Sequence, residues 1–156
     1  MKINNVEHLW TIACRSSSVD QQTNLLSMFD ILEEFNVDIQ LEKETEVLNI
    51  PFQLELVSLW RKFNNKEENL EIEIEFIDPN RKRLAILSYP LNLPADKKRM
   101  RNKLAINGIA VTISGTYVFA IKVKNQDTSK FVEVEEVSIE IIVNKRLINQ
   151  KPKTVS

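Results

Sequence analysis

The sequence predicts an all-β fold: a single antiparallel β-sandwich of about seven or eight strands with Greek-key-like connections. Three observations predict it. The dominant hydrophobic period along the chain is two, the period of side chains alternating across a strand. Turn chemistry separates the alternating runs. The chain's 2 glycines both fall in one region, at Asn107-Gly108 and Ser114-Gly115, where the alternation changes phase.

The clearest run is NLEIEIEFID. Leu70, Ile72, Ile74 and Phe76 fall on one face and Glu71, Glu73 and Glu75 on the other, which describes a half-buried antiparallel strand. Asp78 to Arg81 (DPNR) is the turn after it, with proline presetting φ and Asn80 suited to a left-handed conformation. RLAILSYPLNL returns as the partner strand, and Pro90 assigns it to an edge or a bulge. Upstream, PFQLELVSLWRKF sets Phe52, Leu54, Leu56 and Trp60 against Gln53, Glu55 and Arg61. VEHLWTIACR puts Val6, His8, Trp10, Ile12 and Cys14 on one face. Near the C-terminus, KFVEVEEVSIEIIVN alternates until Glu135-Glu136 and then resumes, as a β-bulge would make it do.

Residues 24–37 read two ways. Leu25, Met28, Phe29, Leu32 and Phe35 have helical spacing, but the apolar residues also occupy both parities of a bent strand pair. The strand reading is preferred because the neighbours are strands. Pro94 to Lys103 is expected to be a polar connection. Residues 1–143 are expected to form the domain and residues 144–156 a flexible tail.

The glycines have assignable roles. The phase slip at Asn107-Gly108 calls for positive φ, so this is either a tight hairpin or a glycine bulge. Ser114-Gly115-Thr116 turns the chain into YVFAIKV, where Tyr117, Phe119, Ile121 and Val123 share a face. Gly-x-Tyr at the start of a long strand looks like a tyrosine corner, in which the phenol hydroxyl bonds back to nearby backbone and pins a crossover.

GTYVFAIKV, the early LWTIACRSS strand and the acidic-turn strand EFIDPNRKRL together resemble small bacterial β-sandwich proteins of unknown function. The resemblance implies the fold. It carries no catalytic residue over to this chain.

Composition narrows function by exclusion. A chain of 156 residues has the length of one domain and needs no covalent staple. Its net charge of -1 gives no global attraction to nucleic acid or to an anionic membrane. The N-terminus lacks an apolar export segment, no run is long enough to span a membrane, and Cys14 is the single cysteine; the expected location is cytoplasmic.

His8 and Cys14 are the single histidine and cysteine. On one strand they stand ~20 Å apart at ~3.3 Å per residue, too far for a nucleophile–base pair. Zinc would need more ligands of that kind. Glu71, Glu73 and Glu75 are spaced about 6.6 Å apart, too far to share one calcium ion. No phosphate loop or hydrolase motif is present. The chain is therefore expected to be no enzyme, to need no cofactor and to hold no metal.

The sharpest charge feature is KKRMRNK, with Lys97, Lys98, Arg99, Arg101 and Lys103 as candidate binding residues. No aromatic side chain is interleaved with them, so base stacking is not favoured, and a solvated loop is the preferred reading. Trp10 and Trp60 sit among apolar same-face neighbours and are assigned to the core. The function these features favour is a non-catalytic binding or accessory module whose partner is another protein or a second copy of itself. The alternative is nucleic-acid binding through residues 97–103.

Overall fold

The glutamate-alternating stretch forms a strand at the heart of one sheet, with Leu70, Ile72, Ile74 and Phe76 buried as its parity requires. In a computed structural model describing residues 2–43 and 46–148, the chain is all-β, and no helix occurs among the described residues. Ten strands follow in order: β1 (Lys2–Ile3), β2 (Val6–Val19), β3 (Leu26–Ile31), β4 (Glu34–Leu41), β5 (Leu48–Lys62), β6 (Glu68–Ile77), β7 (Arg83–Leu93), β8 (Arg99–Val111), β9 (Gly115–Asn125) and β10 (Lys130–Leu147). They exceed the seven or eight expected because the two-residue β1 and the divided 26–41 segment add to the long runs.

The strands form two sheets. The first has the order β1-β2-β5-β8, with β3 also paired to β2; the second has the order β4-β10-β9-β6-β7. Inner-face side chains of both sheets join one apolar cluster that includes Leu54, Leu56, Trp60, Ile72, Ile74, Phe119 and Ile121. Not every pairing is antiparallel. β4 runs parallel to β10, from Glu34 beside Glu140 to Leu41 beside Leu147.

Residues 24–37 take the strand alternative, but β3 and β4 do not pair with each other. β3 stays on β2, whereas β4 crosses to the other sheet. The segment therefore serves two sheets, which is why its apolar residues occupy both parities. The tail expected from residue 144 begins inside β10, which continues to Leu147; residues 149–156 lie outside the described residues.

Three of the register slips bear on which side chains face inward. In β2 the register slips between His8 and Trp10, so Leu9 is the additional residue. His8, Thr11 and Ala13 are buried inward, while Trp10, Ile12 and Cys14 take the opposite face. This corrects the single face expected for Val6 through Cys14. A slip between Glu133 and Glu135 places the β10 bulge at Val134, just before the doubled glutamate. Gly108, at φ 100°, lies within β8 opposite the slip between Ile50 and Gln53 of β5; it serves a bulge and no hairpin.

Turn chemistry at the β6–β7 connection centres on Asp78, which is buried. Its Oδ1 accepts from the amides of Asn80 and Lys82, at 2.9 and 2.8 Å. The left-handed residue is Arg81 (φ 65°), not Asn80. Pro90 sits on β7, an edge strand, where no second ladder needs its missing N–H.

Two buried polar clusters lie toward opposite ends of β8. At its C-terminal end, the Tyr117 hydroxyl donates to the Ile113 carbonyl at 2.7 Å and accepts from the Thr112 amide at 2.8 Å. Thr112 Oγ1 donates to Asp78 Oδ2 at 3.1 Å. This is the tyrosine-corner arrangement, tying the β8–β9 crossover to the β6–β7 turn. Gly115 permits it: at φ 148° it packs on Pro79, whose Cγ would stand 2.8 Å from any added Cβ.

Toward the N-terminal end of β8, His8 Nε2 and Thr11 Oγ1 are 2.7 Å apart, and Thr11 Oγ1 lies 2.7 Å from Ser58 Oγ. The indole of Trp60 donates to Asn102 Oδ1 at 2.8 Å, and Asn102 donates to the Tyr89 hydroxyl at 2.9 Å. Lys62 is also buried here; its ammonium donates to the carbonyls of Lys66 and Pro94.

Candidate functional site

The first-sheet outer face carries the arrangement with the most binding potential. Cross-strand partners share a face, so the pairings Trp10–Leu59 and Leu59–Arg101 set an indole, an isobutyl group and a guanidinium in one row across β2, β5 and β8. The β2–β3 hairpin reaches the same place. Asp20 Oδ1 accepts from the amides of Gln22 and Thr23, shaping its turn, and the Asn24 carbonyl accepts from Arg101 Nη2. The result is a groove of about 490 Å³ whose lining includes Trp10, Leu26, Leu59, Lys97, Arg99 and Arg101, with no acidic residue along it.

The five candidate cations therefore divide. Lys97, Arg99 and Arg101 are brought together in the groove. Lys98 donates to Asn65 Oδ1 at 2.7 Å, outside the groove. Lys103 is 3.7 Å from Glu55. Segment 94–103 is also less of a loop than expected: the Lys97 amide bonds the Pro94 carbonyl in a turn, and β8 starts at Arg99.

Trp10 is the residue that sequence reasoning missed. An unbroken strand would put it beside His8 in the core; the Leu9 bulge turns it outward beside the cations. The indole so lacking from the basic segment is supplied by a distant strand.

The single imidazole and the single thiol are both buried. His8 is 6 % exposed, and burial pushes its pKa from 6.5 down to about 4. Its ring meets Trp60 edge-on, with centroids 4.9 Å apart. Cys14 is fully buried on the opposite face, and burial pushes its thiol up from its ordinary value.

Two glutamates of the row are engaged by lysines. Glu75 lies 2.5 Å from Lys122, and Glu71 lies 3.4 Å from Lys124. The hydrogen bond from Lys122 holds the Glu75 carboxyl below its ordinary range. A second cavity of about 540 Å³, beside Asp78, is lined by both signs of charge, including Glu46, Lys82 and Lys145. No described helix is long and apolar enough to cross a membrane.

No family model matches the chain, and no curated protein matches it. Among solved structures it is similar to part of a glycosyl hydrolase family 2 member from Bacteroides cellulosilyticus. The TM-score is 0.42 at 14 % identity, over 57 % of this chain and 12 % of that one. The aligned part is thus a small fraction of that protein's length.

Proposed function

We propose that the protein is a non-catalytic binding module whose partner is another protein or a second copy of itself. The supporting observation is the β2–β3 hairpin, which leaves Val19, Leu25, Phe29 and Ile31 exposed at 47, 68, 51 and 52 %. Apolar side chains on an unpaired sheet edge are what a partner chain can cover. The chemistry of the interior agrees: His8 and Cys14 lie on opposite faces of β2 and have no route to each other. The same reading takes the two sheets as a β-sandwich with Greek-key-like connections, and the buried Cys14 as fitting a cytoplasmic setting.

Sedimentation of the pure protein at tens of micromolar tests the self-associating form. Wild type is expected to sediment as a dimer and the Phe29→Glu/Ile31→Glu double variant as a monomer. A monomeric wild type removes self-association, and equal behaviour of the two proteins removes the hairpin as the contact.

A further inference from the structure

We propose that the groove between Trp10 and the cations Lys97, Arg99 and Arg101 binds a nucleotide, free or within a single strand, with its phosphate on the cations and its base against the indole. This goes beyond the protein-partner reading and concerns different residues from Phe29 and Ile31.

Three features carry it. The groove's volume of about 490 Å³ falls within the range of roughly 300–1,000 Å³ typical of small-ligand sites. Its charge is of one sign: three cations line it and no carboxylate does. Like charges gathered in a concavity focus a field that an anion relieves. Arg101 is held in place by the Asn24 carbonyl, so part of the positive charge is positioned before any ligand arrives.

The third feature is the partly exposed indole with Leu26 and Leu59 beside it. An inorganic anion or a peptide of acidic residues alone would use the cations and leave this apolar surface unused. A base covers it by stacking, and the phosphate attached to that base reaches the cations. Duplex bases are stacked on each other and offer no free face. The chemistry shared by a free nucleotide and a single strand fits both halves of the groove.

The full-length protein is titrated at ~50 mM salt with AMP, a short oligothymidylate, inorganic phosphate and polyglutamate, following tryptophan fluorescence and calorimetry. AMP, oligothymidylate or both are expected to bind and quench Trp10, with Trp60 as the buried background. Stronger binding of the oligomer assigns the strand as the source, and equal binding assigns the free nucleotide. Trp10→Ala is expected to weaken binding by about tenfold or more.

Lys97→Glu and Arg99→Glu, on exposed side chains that leave folding intact, are expected to weaken binding at least as much. For the strand, each is expected to lower the salt slope by about 0.7 or more. Binding of neither nucleotide ligand overturns the proposal. So does binding unmoved by both Trp10→Ala and Lys97→Glu, or phosphate or polyglutamate binding as tightly as AMP. A wild type that binds neither nucleotide ligand yet sediments as a dimer counts against the groove alone and leaves the partner reading standing.

Discussion

The two buried polar clusters solve one problem in different ways. Both bring hydrogen-bonding groups into an apolar interior, where an unpaired group is costly. The Tyr117 cluster ties a neutral phenol to backbone atoms of the adjacent crossover, with Asp78 held by two amides and a hydroxyl. The His8 cluster joins side chains of neighbouring strands through Thr11 and Ser58, and it contains a ring that acid protonates when the chain is unfolded. The first fixes where the chain turns. The second ties core stability to pH. A hydroxyl bound to backbone and an imidazole bound to a hydroxyl are both satisfied, yet only the second has a protonation state for acid to exploit.

The largest effect should come from breaking the Tyr117 end. Gly115→Val adds a branched side chain at φ 148° against Pro79. Backbone strain and overpacking together are expected to cost about 4 kcal/mol, read as a fall in the urea midpoint at unchanged pH dependence. A loss that grew as pH fell, and that stopped growing in a His8→Asn background, would show that the two ends are coupled.

The next effect belongs to His8. Its pKa is about 4 when folded against 6.5 for the free side chain, so the unfolded chain takes up a proton that the folded one refuses. Stability from this group is fully present above pH 6.5 and declines as pH falls from 6.5 to about 4. Over that window the loss is roughly 3 kcal/mol. Carboxylates such as Glu75, held below their ordinary range, also lose stabilisation in acid. Urea titrations of wild type and His8→Asn across the window therefore isolate the histidine: the variant's curve is expected to be flatter by that amount. Parallel curves would mean that His8 is no pH-sensitive element.

The smallest effect separates hydroxyl from ring. Tyr117→Phe keeps the aromatic packing on Phe76 and removes the bonds to Ile113 and Thr112. It is expected to cost about 2 kcal/mol equally at pH 5 and pH 7. A change below about 0.5 kcal/mol would make the corner a packing feature with no hydrogen-bond contribution.

Local alternation made much of the fold legible. The β6–β7 hairpin, the β9 strand and the Tyr117 corner are contained in short stretches whose period and turn residues suffice. What escaped was non-local or a matter of phase. Nothing in VEHLWTIACR marks Leu9 as a bulge, because bulge formation is decided by the register against Leu59 and Trp60 on another strand. That single residue moves Trp10 from the core to the groove. The cations were visible in KKRMRNK, but which of them converge depends on β8 alternation and on a hairpin tip carried in from residue 24. The parallel pairing of β4 with β10 was equally invisible, since each strand reads the same whichever way its neighbour runs.

That parallel pair has a consequence for how the chain reaches its final form. Asn144 donates to Asp38 across a sequence separation of 106 residues. β4 thus leaves the ribosome long before its neighbour exists, and closing so large a loop is slow. Until β10 emerges, β4 has no place in its sheet, and its half-buried Phe35, Ile39 and Leu41 await cover. Completion of the second sheet therefore waits on synthesis of β10, which acts as its clasp.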